Sequence, residues 1–168
     1  MDAMLLAQLM DDHAAALTQY ARQWCLAPED VVQEAYLKLA AQPNPPTATV
    51  PWLFRVVRNL AISAARAEQR RRRHETQAGQ QQPNWFLPQA DAALDGAQAT
   101  HALQQLPLEQ REVIMMHIWG GLSFTEIADV LGCASSSAHR RYVAGLQQLR
   151  ARIEPCPNPS NPICSPLK

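Results

Sequence analysis

Apolar residues recur at helical spacing along most of this chain, and the stretches that lack the pattern mark its boundaries. From Leu106 to Ile153 the pattern divides into three short helices. Val113, Ile114, Met116 and His117 cover the inner side of the first, predicted over Leu108–Ile118. Gly120-Gly121 stops it, because glycine supplies the left-handed conformation that a helix end often needs. Leu122 then returns to the core. Ser123 to Glu126 (SFTE) reads as a capping box opening a second helix, with Ile127, Ala128 and Leu131 as its buried face. Gly132 ends that helix and opens a turn. A third helix begins in Ser135-Ser136-Ser137, where Ala138, Tyr142, Gly145 and Leu149 follow at intervals of four, three and four and form a buried stripe. Ser136, Ser137, His139, Arg140, Arg141, Val143 and Ala144 are left on the open side. This is the plan of a helix-turn-helix, whose last helix enters the DNA major groove with its first turns toward base edges.

The first half has longer helical periods. Pro28 suits the first turn of a helix running to about Ala40, with Val32, Tyr36 and Leu39 on one side and Asp30, Glu34 and Lys38 on another. By spacing alone, that polar row reads as a solvated helix face. Pro43, Pro45, Pro46 and Pro51 make Gln42–Pro51 an extended or turned loop. A longer helix is predicted from about Pro51-Trp52, with Leu53, Val56 or Val57, Leu60 and Ala64 as its buried stripe. Arg55, Asn59, Ile62 and Arg66 lie on another side with Arg58 beside them, and the helix ends in Arg70-Arg71-Arg72-Arg73. Arginines a turn apart can each meet a backbone phosphate, and asparagine can pair with a base edge. Four adjacent arginines repel one another. A frayed, solvated helix end and a phosphate site both fit them.

Thr76 to about Thr100 is rich in Gln, Pro and Ala with little periodicity and reads as a linker, with Trp85-Phe86-Leu87 as an apolar island. Pro155–Lys168 is too proline-dense for a helix and reads as a disordered tail. Few β-branched or aromatic runs occur, so the fold class expected is all-α: two small helical domains joined by a flexible linker, the second a helix-turn-helix. The domain spans are residues 1–75 and 102–154, with 76–101 as linker and 155–168 as tail.

Charge refines this picture. Formal net charge is zero, which by itself argues against a nonspecific polyanion binder. The balance is local, however. Asp2, Asp11, Asp12, Glu29, Asp30 and Glu34 make Met1–Thr49 acidic, and Arg55, Arg58, Arg66 and Arg70–Arg73 make Val50–Glu75 basic. A neutral total can thus contain a phosphate site and an acidic face for a protein partner. No apolar run approaches the roughly 20 residues that span a bilayer, and no basic start precedes a long apolar core, so no secretory signal is expected. Cys25, Cys133, Cys156 and Cys164 form no CxxC and have no histidine at zinc-finger spacing. Free thiols in a reducing cytosol fit best, with a Cys156–Cys164 link or a metal site in the tail as the alternatives.

Two blocks resemble bacterial RNA polymerase sigma factors of the sigma-70 family, of the small extracytoplasmic-function type. The first comprises Pro28-Glu29-Asp30-Val31-Val32-Gln33-Glu34, followed by Ala35-Tyr36-Leu37-Lys38-Leu39, then Trp52-Leu53-Phe54-Arg55-Val56-Val57-Arg58-Asn59-Leu60-Ala61 and the basic run. The second runs from Leu106-Pro107 through Leu149 and is similar to the region that reads the −35-type promoter element.

The resemblance implies a transcription initiation factor, not an enzyme, with no catalytic residue, no metal and no cofactor. It implies that Asp30, Gln33 and Glu34 meet the clamp helices of the largest polymerase subunit, and that the flap of the second-largest subunit is a further contact. Trp52, Arg55, Arg58, Asn59, Arg66, Arg70, Arg71, Arg72 and Arg73 would face the −10-type element, and Ser135, Ser136, Ser137, His139, Arg140 and Arg141 the −35-type element. Trp52 and Phe54 are the aromatics available to hold a separated strand, although Trp52 fits a core position as well. Factors of this type are often held by an anti-sigma protein. A cytoplasmic location without membrane insertion follows from the same reading.

Two departures from the family pattern carry expectations. Ala134 stands where a capping serine is usual, so Ser135 is expected to take over the cap with the helix starting a residue late. Val143, Ala144, Gln147 and Gln148 replace the usual basic residues, which predicts weaker and less salt-dependent promoter binding by this half. The alternative function is a stand-alone helix-turn-helix regulator that binds duplex DNA without polymerase. A recombinase would need a nucleophile within a catalytic domain, and the first half offers no such cluster.

Overall fold

The computed structural model describes residues 2–75 and 101–153, and every regular element among them is helical. The linker with Trp85-Phe86-Leu87 and the tail with Cys156 and Cys164 lie outside the described residues. Three helices come from the first half: α1 (Ala3–Ala21), α2 (Pro28–Ala40) and α3 (Thr49–Glu75). After a helical turn through residues 101–104, the second half supplies α4 (Leu108–Ile118), α5 (Phe124–Leu131) and α6 (Ser135–Ile153).

Local chemistry explains the helix ends. The Asp2 carboxylate accepts from the Met4 amide at the start of α1. In α2, Pro28 stands at the first position, Glu29 and Asp30 lie in the first turn and Lys38 in the last, the arrangement favoured by the helix dipole. α3 begins at Thr49, two residues before Pro51, so that proline belongs to the first turn and not to the loop that the sequence predicts. At 27 residues the helix spans about 40 Å.

In the second half, Ser123 and Glu126 form a complete capping box: the serine accepts from the Glu126 amide, and the glutamate accepts from the Ser123 amide at 2.8 Å. Gly132 closes α5 with φ 66°. α4 ends with Trp119 in a right-handed conformation, and Gly121, not Gly120, adopts the left-handed one. The cap of α6 is not displaced. The helix starts at Ser135, and the Ala134 carbonyl accepts from the Ser137 and Ala138 amides.

Leu17, Tyr20 and Ala21 of α1, Val32, Ala35, Tyr36 and Leu39 of α2, and Leu53, Phe54, Val57 and Ala61 of α3 are buried together. The Tyr36 hydroxyl donates to the Leu9 carbonyl at 2.9 Å, and Arg22 pairs with Glu29 at 2.9 Å, joining α1 to α2. The same core continues into the second half through Val113, Met115, Met116, Leu122, Ile127 and Val130. The two groups of helices therefore share one apolar interior, beside a smaller cluster of Leu103, Leu106 and Ile114.

Two sequence expectations change here. Phe54, read as an aromatic available to DNA, is completely buried. On α5 the buried positions are Ile127, Ala128 and Val130, while Leu131 is only half-buried.

Candidate nucleic-acid interface

The residues singled out from the sequence occupy three places. On α2, Asp30, Gln33 and Glu34 are all exposed, because Val31, Val32, Ala35 and Tyr36 take the inward positions between them. Glu34 pairs with Lys38 one turn on at 3.2 Å. Asp30 and Glu34 border an open groove of about 620 Å³ between α2 and the later turns of α3, floored by Trp24, Val31 and Ala64.

On α3 the candidate residues split. Asn59, Arg66 and Arg70 are exposed. Arg71 and Arg72 are exposed as well, but both reach back to Glu68, at 3.0 and 2.9 Å. The hydrogen bond from Arg72, with the charges of both arginines, holds the Glu68 carboxyl below the ordinary range. This relieves part of the repulsion within the arginine run. The Arg73 side chain lies outside the described residues. Trp52 is half-buried against the core.

Arg55 and Arg58 turn toward the second half. Arg55 donates to the Asp129 carbonyl on α5 at 2.8 Å. Arg58 donates through Nε to Oε1 of Glu112 on α4 at 2.6 Å, and the Tyr20 hydroxyl donates to the same oxygen at 3.2 Å. Partial burial opposes the charge on Arg58. The hydrogen bond and negative charge of Glu112 outweigh it and push the guanidinium pKa up. Burial, and then the Glu112 charge, raise the Tyr20 phenol well above its usual range.

On α6, Ala138 and Gly145 face inward and leave Ser135, Ser136, His139 and Arg140 exposed, with Ser137 and Arg141 half-buried. Arg140 donates to the Ser137 hydroxyl at 3.2 Å, and Arg141 pairs with Glu109 on α4 at 3.0 Å. An aromatic cluster seats this helix on its neighbours. His117 stacks on Phe124 with centroids 4.6 Å apart and meets Tyr142 edge-on, while His139 meets Phe124 edge-on. The Nδ1 atom of His117 lies 2.7 Å from the Leu122 carbonyl oxygen, across the turn.

Two groups escape a reading of the sequence. Tyr20 carries no motif. Glu112 looks like an ordinary helix-surface acid, although its position four residues before Met116 and three before Met115 sets it beside apolar neighbours. That spacing is the only local signal that it is buried.

With this geometry in place, the relatives are informative. The Sigma-70 region 2 model matches residues 9–71, and the Sigma-70, region 4 model matches residues 97–149. The chain is 32% identical over 161 residues to the ECF RNA polymerase sigma factor SigL of Mycobacterium tuberculosis, covering 91% of each protein. This chain belongs to the extracytoplasmic-function sigma factors of the sigma-70 family. Its function is that of a transcription initiation factor working with RNA polymerase.

The sigma factor CarQ of Myxococcus xanthus is 31% identical over 143 residues, covering 80% of this chain and 78% of CarQ. Among solved structures, the sigma factor RpoE in complex with the anti-sigma factor NepR from Bartonella quintana shares the fold, with a TM-score of 0.66 and 23% identity over 88% of this chain and 94% of that one. CnrH, solved with the cytosolic domain of CnrY, aligns with a TM-score of 0.57 and 25% identity over 89% of this sigma factor and 88% of CnrH. Among the described residues, no helix is long and apolar enough to cross a membrane.

Proposed function

We propose that this sigma factor binds core RNA polymerase through Asp30, Gln33 and Glu34, and that promoter DNA is met at two places. Trp52, Arg55, Arg58, Asn59, Arg66 and Arg70–Arg73 on α3 take the −10-type element. Ser135–Ser137, His139, Arg140 and Arg141 at the start of α6 take the −35-type element. Residues 1–75 then act as the polymerase and −10 unit and residues 102–154 as the −35 unit, with 76–101 as linker and 155–168 as tail.

The observation that carries the reading is the first two turns of α6. It leaves three polar side chains and Arg140 exposed (Ser135, Ser136 and His139 with it), while Ala138 is buried and Gly145 lets the helix seat closely on Ile114 of α4. Base edges are read by side chains so presented. The groove beside Asp30 and Glu34 supports a helical protein partner there. Opening a duplex means unstacking bases, at a cost of a few kcal/mol per step, and cationic side chains on α3 can hold the separated strand.

The chain performs no catalytic step and works in the cytoplasm beside core polymerase, whose clamp helices and flap are its contacts. An anti-sigma protein is the kind of regulator proposed for it. The test is a pull-down with core polymerase, followed by sequencing of the transcripts that the reconstituted holoenzyme initiates. A chain that never binds core polymerase, or binds it without selecting start sites, overturns the reading.

A further inference from the structure

The side chains on the open side of α6 are not equally engaged. Arg140 is bonded to Ser137, and Arg141 is paired with Glu109. His139 is exposed, and its imidazole forms no hydrogen bond or ion pair among the described residues. The ring instead meets Phe124 edge-on, with centroids 5.0 Å apart and planes at 89°, an arrangement that aromatic rings favour. This contact crosses from one helix of the helix-turn-helix to the other.

Phe124 is itself held from several sides. It is the first residue of α5, directly after Ser123, so the capping box fixes its backbone. The His117 ring stacks on it at 4.6 Å, and the Tyr142 ring meets it at 5.3 Å and 60°. A carbonyl oxygen can only accept, so Nδ1 of His117 donates to Leu122 across the turn and is fixed in its place. Phe124 is half-buried. Its ring therefore stands where the packed interior meets the exposed His139.

We propose that Phe124 is a positioning residue for promoter recognition. It holds the His139 imidazole so that one ring N–H is aimed at the acceptor edge of a purine in the −35-type element, which makes His139 a specificity-determining residue. The inference rests on the reading of α6 as the −35-type face. A histidine ring, neutral or charged, carries at least one N–H, and purines present N7, with O6 on guanine, as major-groove acceptors. An imidazole free on a helix surface turns about two side-chain bonds and spreads its donor over many directions. Holding the ring against Phe124 before DNA arrives removes that freedom in advance, so the matching base gains relative to the others. Phe124 acts through His139 and need not touch a base.

The test uses holoenzyme reconstituted with the full chain and a promoter library randomised through the −35-type element, each promoter marked by a barcode in its transcribed region. Sequencing the transcripts gives the base preference at every position. Wild type is expected to prefer a purine on one strand at a position where His139→Ala lowers the preference about fivefold. Phe124→Leu is expected to lower it at least about twofold at the same position, without moving the positions that Arg140→Ala alters. Phe124→Tyr keeps the ring and is expected to retain the preference. An even loss at all positions in Phe124→Leu marks a packing role and overturns the positioning. An unchanged profile in His139→Ala overturns the base contact. If Arg140→Ala still alters the profile in that case, the −35-type assignment of α6 stands without His139; if neither variant does, that assignment falls as well. Should circular dichroism show Phe124→Leu to be unfolded, the proton spectrum of wild type decides. The His139 ring protons, assigned by their loss in His139→Ala, are expected to be displaced from free-histidine values by the Phe124 ring, and free values overturn the contact.

Discussion

The guanidinium of Arg58 and the carboxylate of Glu112 meet at 2.6 Å, yet the two side chains sit in unequal surroundings: 28% of the arginine side chain is exposed and 4% of the glutamate. Losing one partner is therefore not equivalent to losing the other. Without Arg58 the carboxylate stays buried with only the Tyr20 hydroxyl bonded to it, a loss of about 3 kcal/mol. Without the Glu112 charge, Arg58 can turn to water, and the loss is about 1 kcal/mol. Urea denaturation of Arg58→Ala and Glu112→Gln is expected to show the first as the more destabilising. Equal or reversed effects count against the burial of Glu112.

The capping box at the start of α5 makes a second, local prediction. Ser123→Ala removes the side-chain acceptor of the Glu126 amide and is expected to cost about 1 kcal/mol. Hydrogen bonds from the Ser123 side chain and backbone hold the Glu126 carboxyl below its ordinary range. A carboxyl lowered in the folded state stabilises the fold above its unfolded pKa, about 4.3, and loses that contribution as pH falls through the folded value. The stability gap between wild type and Glu126→Ala should thus be present at neutral pH and narrow on acidification below about pH 4. A gap independent of pH would count against the charged form of the box.

Tyrosine ionisation probes the interior from the alkaline side. Burial and then the Glu112 charge raise Tyr20 well above its usual range, and burial with the nearby Asp12 raises Tyr36 to about 12. A phenol raised in the folded state contributes its full stabilisation below the unfolded pKa, about 10, and loses it as pH rises through the folded value. Phenolate absorbance should therefore lag for these two tyrosines, and the urea midpoint should fall above about pH 10. Tyr20→Phe should remove one lagging group. If all the tyrosines titrate together near the free value in folded protein, the burial of Tyr20 is wrong.

The recognition helix offers a contrast between adjacent arginines. Arg140 is exposed and bonded only locally to Ser137, whereas Arg141 must leave Glu109 before it can reach DNA. In reconstituted transcription, Arg140→Ala is expected to lose discrimination among −35-type sequences by about 1–3 kcal/mol. Glu109→Gln is expected to raise promoter affinity by freeing Arg141, most clearly at low salt. Arg140→Ala with unaltered promoter choice would remove that residue from the interface.

The sequence by itself determined what depends on neighbours a turn apart. The bounds of α2 follow from Pro28 and the apolar spacing of Val32, Tyr36 and Leu39. The helix-turn-helix follows from its capping box, Gly132 and the stripe from Ala138 to Leu149. In each case the interacting groups lie within a few residues of one another, so their pattern is printed in the chain. Periodicity says which residues share a helix face but not what that face meets, and here only the tertiary structure decided. Phe54 and Arg58 stand on α3 much as a DNA-facing aromatic and cation would, yet one is sealed in the shared core and the other bonds a carboxylate 54 positions away. Glu112 shows the reason most plainly: an acid on a helix is ordinarily solvated, and it becomes a buried partner only because two distant donors fold onto it and replace the water it loses.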